Sequence, residues 1–280
     1  VERGFRQADL VLESRFTTAR IHHCQMEPFG ALARTESDGG VTIWSGVHLV
    51  NEVKNHISRL FRIPPSKVRI IVPYVGGDFG GKVTLGVESF AVLLAMKTGR
   101  PVRLDFTREE TFSCTSTRNP AIIYIKDGVK NDGALVAREM KVLLNGGPYS
   151  QNTPLVVRTT QFAAASTYSI PNFRFDAYGV YTNEPPSGSF RGFGSSKVTW
   201  AIESHMDMLA EKLGIDPVEF RKRNILNEGD INVTGEVVHS IGAGQCLERV
   251  AEWRDAATGP SQAGGPWRVG KGLAVGGKPS

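Results

Sequence analysis

The chain has 280 residues, 40% of them hydrophobic and 22% charged, with a net charge of +5, which is ordinary for a globular protein of one large or two small domains. No apolar run approaches the roughly 18 residues a membrane span needs, and Lys and Arg are too scattered for a nucleic-acid footprint. Cys24, Cys114 and Cys246 lie far apart without a C-x-x-C pair, which excludes an iron–sulfur or zinc ribbon site within this chain and suits a reducing, cytoplasmic compartment.

The chain opens mid-pattern at Val1, and its end, GPWRVGKGLAVGGKPS, reads as the start of an unfinished strand. Residues 1–260 are therefore expected as one domain, and 261–280 as a linker into a following one. Leu10–Arg20 has strand character and is followed by the polar segment HHCQMEP. Val41–Val47 is a second strand. Val50, Val53, Ile57, Leu60 and Phe61 then recur on one face of an amphipathic helix ended by Pro64-Pro65.

Lys67–Val75 predicts a third strand and leads into VGGDFGGKV. Leu85–Lys97 after it reads as a mostly buried helix stopped by Gly99 and Pro101. Val102–Thr107 is another strand, and Ala121–Lys126 and Leu135–Leu144 form a hairpin around DGVKNDG. Gly146–Ser189 looks strand-poor. A helix over Val198–Leu213 follows RGFGSS, and Asp216-Pro217-Val218-Glu219 opens another with an N-cap Asp and Pro in the first turn. Strands and helices mix without strict alternation, so the fold class is α+β, with mixed sheets and packed helices.

Gly76 to Lys82 fits G-x-x-x-x-G-K, the beginning of a phosphate-binding loop, but Val83 stands where Ser or Thr would hold magnesium. A degenerate nucleotide-phosphate module is one reading. A bland turn is a second. A third is a cradle for an anion or oxo group, since glycines admit a ligand to the backbone and a helix N-terminus supplies free N–H donors. Arg191–Ser196 repeats the build: glycine, phenylalanine, glycine, then a long helix. Two such loops favour one oxygen-rich ligand gripped from both sides.

With HHCQMEPFGALAR, GGDFGGK and FRGFGSSKVTWAIESHMDMLAEKLGIDPVEFRKRN in that order, the chain from Val1 to Glu248 resembles the molybdenum-binding subunit of the xanthine dehydrogenase/aldehyde oxidase family. The resemblance implies the molybdopterin-binding fold of that family and a hydroxylation of a carbon centre with water as oxygen source. It implies a molybdenum–molybdopterin cofactor, the cytosine dinucleotide form included, and partners: the second half of the molybdenum subunit, an iron–sulfur subunit and an FAD subunit. It places Gly77, Phe79, Gly80, Gly81, Arg191 and Gly192 at the cofactor, the metal taking no side chain of this chain as ligand. Phe193 becomes a flat wall for substrate.

Three departures qualify the picture. His48 stands where the family uses a glutamine toward the oxo ligand, and it is either a substitute donor or a cap of the following helix. Val83 replaces a purine-binding glutamate, so an aldehyde or a less polar N-heteroaromatic is the expected substrate. Arg158 falls near a substrate-orienting arginine. The catalytic glutamate of the family has no counterpart; Glu236 reads as a loop residue. The H-H-x-x-x-E spacing of His22, His23 and Glu27 does not make a convincing metal-ligand set, and His205 and Asp207 are assigned to a solvated helix face.

Overall fold

The computed structural model describes residues 1–83, 86–165, 168–256 and 272–277. Its elements, in order, are α1 (Glu2–Gln7), β1 (Leu10–Thr18), β2 (Gly30–Thr35), β3 (Val41–Ser45), α2 (Val50–Phe61), β4 (Val68–Ile71), α3 (Glu88–Thr98), β5 (Val102–Asp105) and α4 (Arg108–Cys114). They continue with β6 (Thr117–Arg118), β7 (Ala121–Val129), β8 (Leu135–Gly147), α5 (Thr153–Ala165), β9 (Phe173–Tyr181), β10 (Ser187–Gly188), α6 (Ser195–Leu213), α7 (Pro217–Asn224) and α8 (Ala243–Ala256). The class is α+β. No helix among the described residues is long and apolar enough to cross a membrane.

Two hydrophobic clusters divide the expected 1–260 domain. The smaller lies under the sheet β4-β3-β2-β5, with Val53 and Ile57 of α2 and Ala91, Val92 and Ala95 of α3. The larger joins the sheet β1-β7-β8-β9 to Val156 and Ala163 of α5 and to Val198, Met206 and Leu209 of α6. Each sheet is mixed: β3 with β4 and β8 with β9 are parallel, and the other pairs within these two sheets are antiparallel. A short parallel pair, β6 with β10, makes a third sheet.

The amphipathic α2, the β7–β8 hairpin and the Asp216 cap lie where periodicity and turn chemistry place them; Asp216 Oδ1 accepts the Val218 N–H at 2.8 Å. Four expectations need correction. The segment after Gly146 is not strand-poor: β9 runs nine residues parallel to β8, and α5 precedes it. Thr and Val in TPLVVRTTQF disfavour a helix locally, but burial of Val156 and Thr160 overrides them. Helix α3 is only half buried, with Phe90, Leu93, Leu94 and Met96 exposed. The capping box of Thr107 and Glu110 makes a helix, α4, that apolar periodicity does not signal. Of the 261–280 linker, only 272–277 lies among the described residues, and it forms no strand.

The fourth correction concerns His205, which is fully buried rather than solvated. Its Nδ1 meets Ser14 Oγ at 3.0 Å and its Nε2 lies 3.7 Å from Asp127. Asp207 is partly exposed but pairs with Arg221 at 2.7 Å. Both belong to a buried polar seam between the larger sheet and α6–α7. Arg138 holds Asp127 through two bonds of 2.8 and 2.6 Å, both side chains wholly buried. Arg221 binds Glu203 at 2.8 Å, and Glu203 also accepts the Tyr168 hydroxyl at 2.6 Å. Burial, reinforced by the neighbouring Glu203 carboxylate, pushes the Tyr168 phenol far above its usual range, so it stays a donor. Asp127→Ala strands the Arg138 charge and should cost about 3–5 kcal/mol, read as a lower urea midpoint, whereas Asp127→Leu with Arg138→Met should recover most of that loss.

Candidate functional site

The first glycine loop leaves β4 in the smaller lobe. Asp78 organises it: its carboxylate accepts the Gly80 N–H at 3.1 Å, the Lys82 N–H, and His48 Nδ1 at 2.6 Å. Burial raises the Asp78 pKa, but these hydrogen bonds outweigh it and hold the carboxyl below its ordinary range. The His48 backbone N–H donates to Lys82 O at 2.9 Å. His48 does not cap α2, whose N-cap is Leu49 without a side-chain bond. His48 is thus tied to the loop by backbone and ring, and is itself 56% exposed by side chain.

The loop lies against the HHCQMEP segment. Glu27 receives the Gly76 N–H at 2.9 Å and binds the Lys82 amine. Gly77 and Gly81 face Gln25 and His23, where an added Cβ would sit 3.2 and 3.1 Å away. His23 Nε2 bonds the Ser189 carbonyl at 2.8 Å, and burial lowers the pKa of the ring, keeping it neutral. His22 is engaged by Thr111 O and Thr115 Oγ1 at 3.1 and 3.0 Å. The three side chains that invited a metal reading therefore serve different partners.

The phosphate-loop reading finds no support here. Lys82 is 4% exposed and pairs with Glu27 instead of projecting into the loop. Helix α3 begins only at Glu88, whose carboxylate occupies the Gly86 N–H at 2.7 Å. The first loop therefore does not open a helix N-terminus, contrary to the sequence expectation. Val83 is half-buried at the end of the loop.

The second loop rises from the larger lobe and does open its helix: Gly194 is the N-cap of α6. The two loops meet. The Arg191 N–H donates to Phe79 O at 2.9 Å, and a Cβ on Gly80 would sit 3.1 Å from the Phe190 backbone. Phe79 and Phe193 both adopt left-handed backbone, at φ 53° and 49°. Such a conformation is costly for a bulky residue and is found where a local geometry is over-determined. Gly192, at φ +91°, abuts Ser196. The Phe79 ring is half exposed, whereas the Phe193 ring packs partly into the larger core. Among the described residues, the N–H groups of Phe79, Ser196 and Lys197 have no acceptor.

Arg158 is not brought to this junction. It lies exposed on α5 with its guanidinium over Phe162 at 5.6 Å. Val156 and Thr160, which meet Gly194, are two residues to either side and so face the opposite way on the helix. Sequence reasoning missed Asp78 and Arg118. Arg118 bonds the Arg191 carbonyl, but T-R-N-P carries no pattern that signals it. Glu236 is a loop residue as read, exposed and bonded to Asn232 and Thr234.

At the junction the two glycine loops touch backbone to backbone, and each carries N–H groups without an acceptor among the described residues, the kind of donor an oxygen-rich anionic group takes. Similarity to known proteins points the same way. Residues 1–225 match the model of the molybdopterin cofactor-binding domain. The chain belongs to that family. It is 38% identical over 256 residues to a probable xanthine dehydrogenase subunit of Bacillus subtilis, covering 90% of this chain and 34% of the relative. It is 34% identical over 253 residues to the nicotinate dehydrogenase large molybdopterin subunit of Eubacterium barkeri, covering 90% of this chain and 60% of that relative. The solved aldehyde oxidoreductase of Desulfovibrio gigas superposes with a TM-score of 0.86 at 33% identity, over 91% of this chain and 28% of that one. The chain thus spans about a third of the Bacillus relative and corresponds to the molybdenum-binding subunits of the xanthine dehydrogenase/aldehyde oxidase family.

The residues fit a molybdopterin cofactor in two respects: both loops keep N–H groups without an acceptor among the described residues, and glycine bareness permits the close approach of the two loop backbones. Gly80→Ala would drive a Cβ against backbone that cannot give way. It should cost more in urea stability than Gly39→Ala, which is also at positive φ but has nothing within 4 Å; the expected excess is about 1–2 kcal/mol.

Lys197, in the first turn of α6, is buried and donates to Asn119 O at 2.6 Å. Burial, with Arg118 nearby, pushes its amine down to about 7. The folded pKa lies below the unfolded value of about 10.4, so between those limits the unfolded state binds more protons and stability rises with pH. Relative to Lys197→Met, the wild-type protein should gain on the order of 1 kcal/mol per pH unit from pH 7 to 9, measured by denaturant titration at each pH.

Proposed function

We propose that this chain is the first molybdopterin-binding domain of a molybdenum hydroxylase that oxidises an aldehyde or an N-heteroaromatic compound, water supplying the oxygen. The observation that supports the reading is the junction of Phe79 and Arg191, where the glycine loops of the two lobes meet backbone to backbone. Gly77, Phe79, Gly80, Gly81, Arg191, Gly192 and His48 would hold the cofactor. When bound, the cofactor supplies the oxidant and the activated oxygen. The Phe79 N–H, held in a left-handed turn, would serve as a pre-organised donor to an oxygen of the bound group. The His48 ring, fixed by Asp78 at Nδ1, keeps Nε2 for the same space. Phe193 backs the substrate and Val83 lines its approach.

The rest of the machinery would lie outside these 280 residues: the second half of the molybdenum subunit with the catalytic carboxylate, and an iron–sulfur subunit and an FAD subunit to remove electrons. Three free, exposed cysteines suit a cytoplasmic, reducing setting. The cofactor is molybdopterin, the cytosine dinucleotide form included.

The named relatives act on xanthine, nicotinate and aldehydes, so the substrate class rests on Val83. A carboxylate at that place would hydrogen-bond a purine N–H; valine cannot, and offers roughly 1.5 kcal/mol of apolar burial instead. Loss of a bond to a site built for it changes discrimination by orders of magnitude. The complete complex should carry about one molybdenum per chain, and its kcat/KM for an aromatic aldehyde should exceed that for xanthine by ten-fold or more. A preference for xanthine would remove Val83 from the substrate path, and magnesium-dependent ATP binding without molybdenum would overturn the whole reading.

A further inference from the structure

We propose that Arg118 is a positioning residue that locks the junction between the two glycine loops and thereby sets the cradle geometry; the inference rests on the cofactor-binding reading above. Arg118 lies on β6, outside both loops, with its backbone N–H bonded to Ile21 O at 2.9 Å. Its guanidinium does three things at once. Nη2 donates to the Arg191 carbonyl at 2.9 Å, Nη1 donates to Ser196 Oγ at 2.7 Å, and the plane lies over the Phe190 ring at 4.0 Å. The other side of Phe190 is stacked by His23 at 4.5 Å and 23°. Arg191 is therefore gripped at both ends of its backbone: its carbonyl by Arg118, its N–H by Phe79 O. Neither flanking peptide can rotate without breaking a bond.

The chemistry of the contact argues for geometry rather than stability. Among the described residues no carboxylate pairs with Arg118, and burial lowers its pKa. A half-buried guanidinium without a counter-ion is a costly way to satisfy one carbonyl and one exposed hydroxyl. What only arginine offers is a rigid planar fork that reaches two acceptors while presenting its face to a ring. Lysine keeps the charge but loses the second bond and the stacked plane. The same uncompensated charge leaves the base of the second loop positive, which favours an anionic group seated there.

The test uses the assembled complex and compares wild type with R118K and R20K. Arg20 also reaches β6, bonding Thr117 Oγ1 at 2.7 Å and Pro185 O at 2.8 Å, but touches neither loop. Three quantities are read: molybdenum per chain, the line shape of the Mo(V) electron-spin signal, and hydrogen exchange of the Arg191 amide. R118K is expected to speed Arg191 exchange about ten-fold, to lower molybdenum several-fold or shift the Mo(V) signal, and to leave exchange in β8 unchanged. R20K should leave metal content and signal at wild-type values. Wild-type Arg191 exchange in R118K overturns the proposal, as does a wild-type metal content with an unshifted signal. If R118K proves too unstable to assemble, S196A removes one of the two bonds and should give a smaller effect in the same direction; no effect again overturns it. Wild-type complex free of molybdenum defeats the cofactor reading instead, and the exchange measurement then still decides whether Arg118 locks the loops.

Discussion

A single backbone hydrogen bond, from the Arg191 N–H to the Phe79 carbonyl, is the constraint around which this molecule is arranged. The two residues belong to lobes with separate hydrophobic cores, of which the larger reaches the second loop through Phe193. The bond is possible only because Gly80 lets the Phe190 backbone come close, and because both phenylalanines accept a left-handed turn. Everything near it supports that approach. Asp78 shapes the first loop from within, Glu27 and His23 support it from behind, and α6 carries the second loop on a rigid base.

Rigidity beneath the junction comes from polar groups as much as from apolar packing. Asp127, Arg138, His205, Glu203, Tyr168 and Arg221 form a buried seam that fixes α6 and α7 over the larger sheet. Charges buried in this way contribute little net stability compared with apolar replacements, but each is expensive to leave unpaired. They hold α6 to one orientation, and α6 begins where the second loop ends. Position is thus transmitted from the sheet to the site through bonds with defined direction, which a greasy contact does not supply.

Much of the cofactor chemistry was legible because glycine-rich loops leave a local mark. G-G-D-F-G-G-K and R-G-F-G are short, contain few alternatives, and demand backbone conformations that few residues adopt. The same local reading misjudged what the first loop does. Its G-x-x-x-x-G-K spacing left a phosphate-loop reading open, yet Lys82 turns back to Glu27, a partner far away in sequence. It also placed a helix N-terminus directly behind the loop, whereas α3 begins only at Glu88, whose carboxylate accepts the Gly86 N–H ahead of the helix. His205 failed likewise: a histidine on a polar-looking helix stretch is buried because Asp127 and Ser14 lie opposite, on strands that no helical periodicity reveals.

By itself the sequence determined the mixed α+β class, the amphipathic α2, the β7–β8 hairpin, the Asp216 cap and the identity of the two loops, because each depends on contacts within a few residues or on backbone freedom carried by glycine and proline. The tertiary structure alone decided that β9 pairs parallel with β8, that α5 forms despite weak propensity, that the loops touch, and that Arg118, from outside both loops, bonds the Arg191 carbonyl. These outcomes depend on pairings between residues distant in the chain, and on burial that only the assembled lobes provide. No local pattern encodes them, since a lone arginine or an alternating run reads the same until its partner is in position.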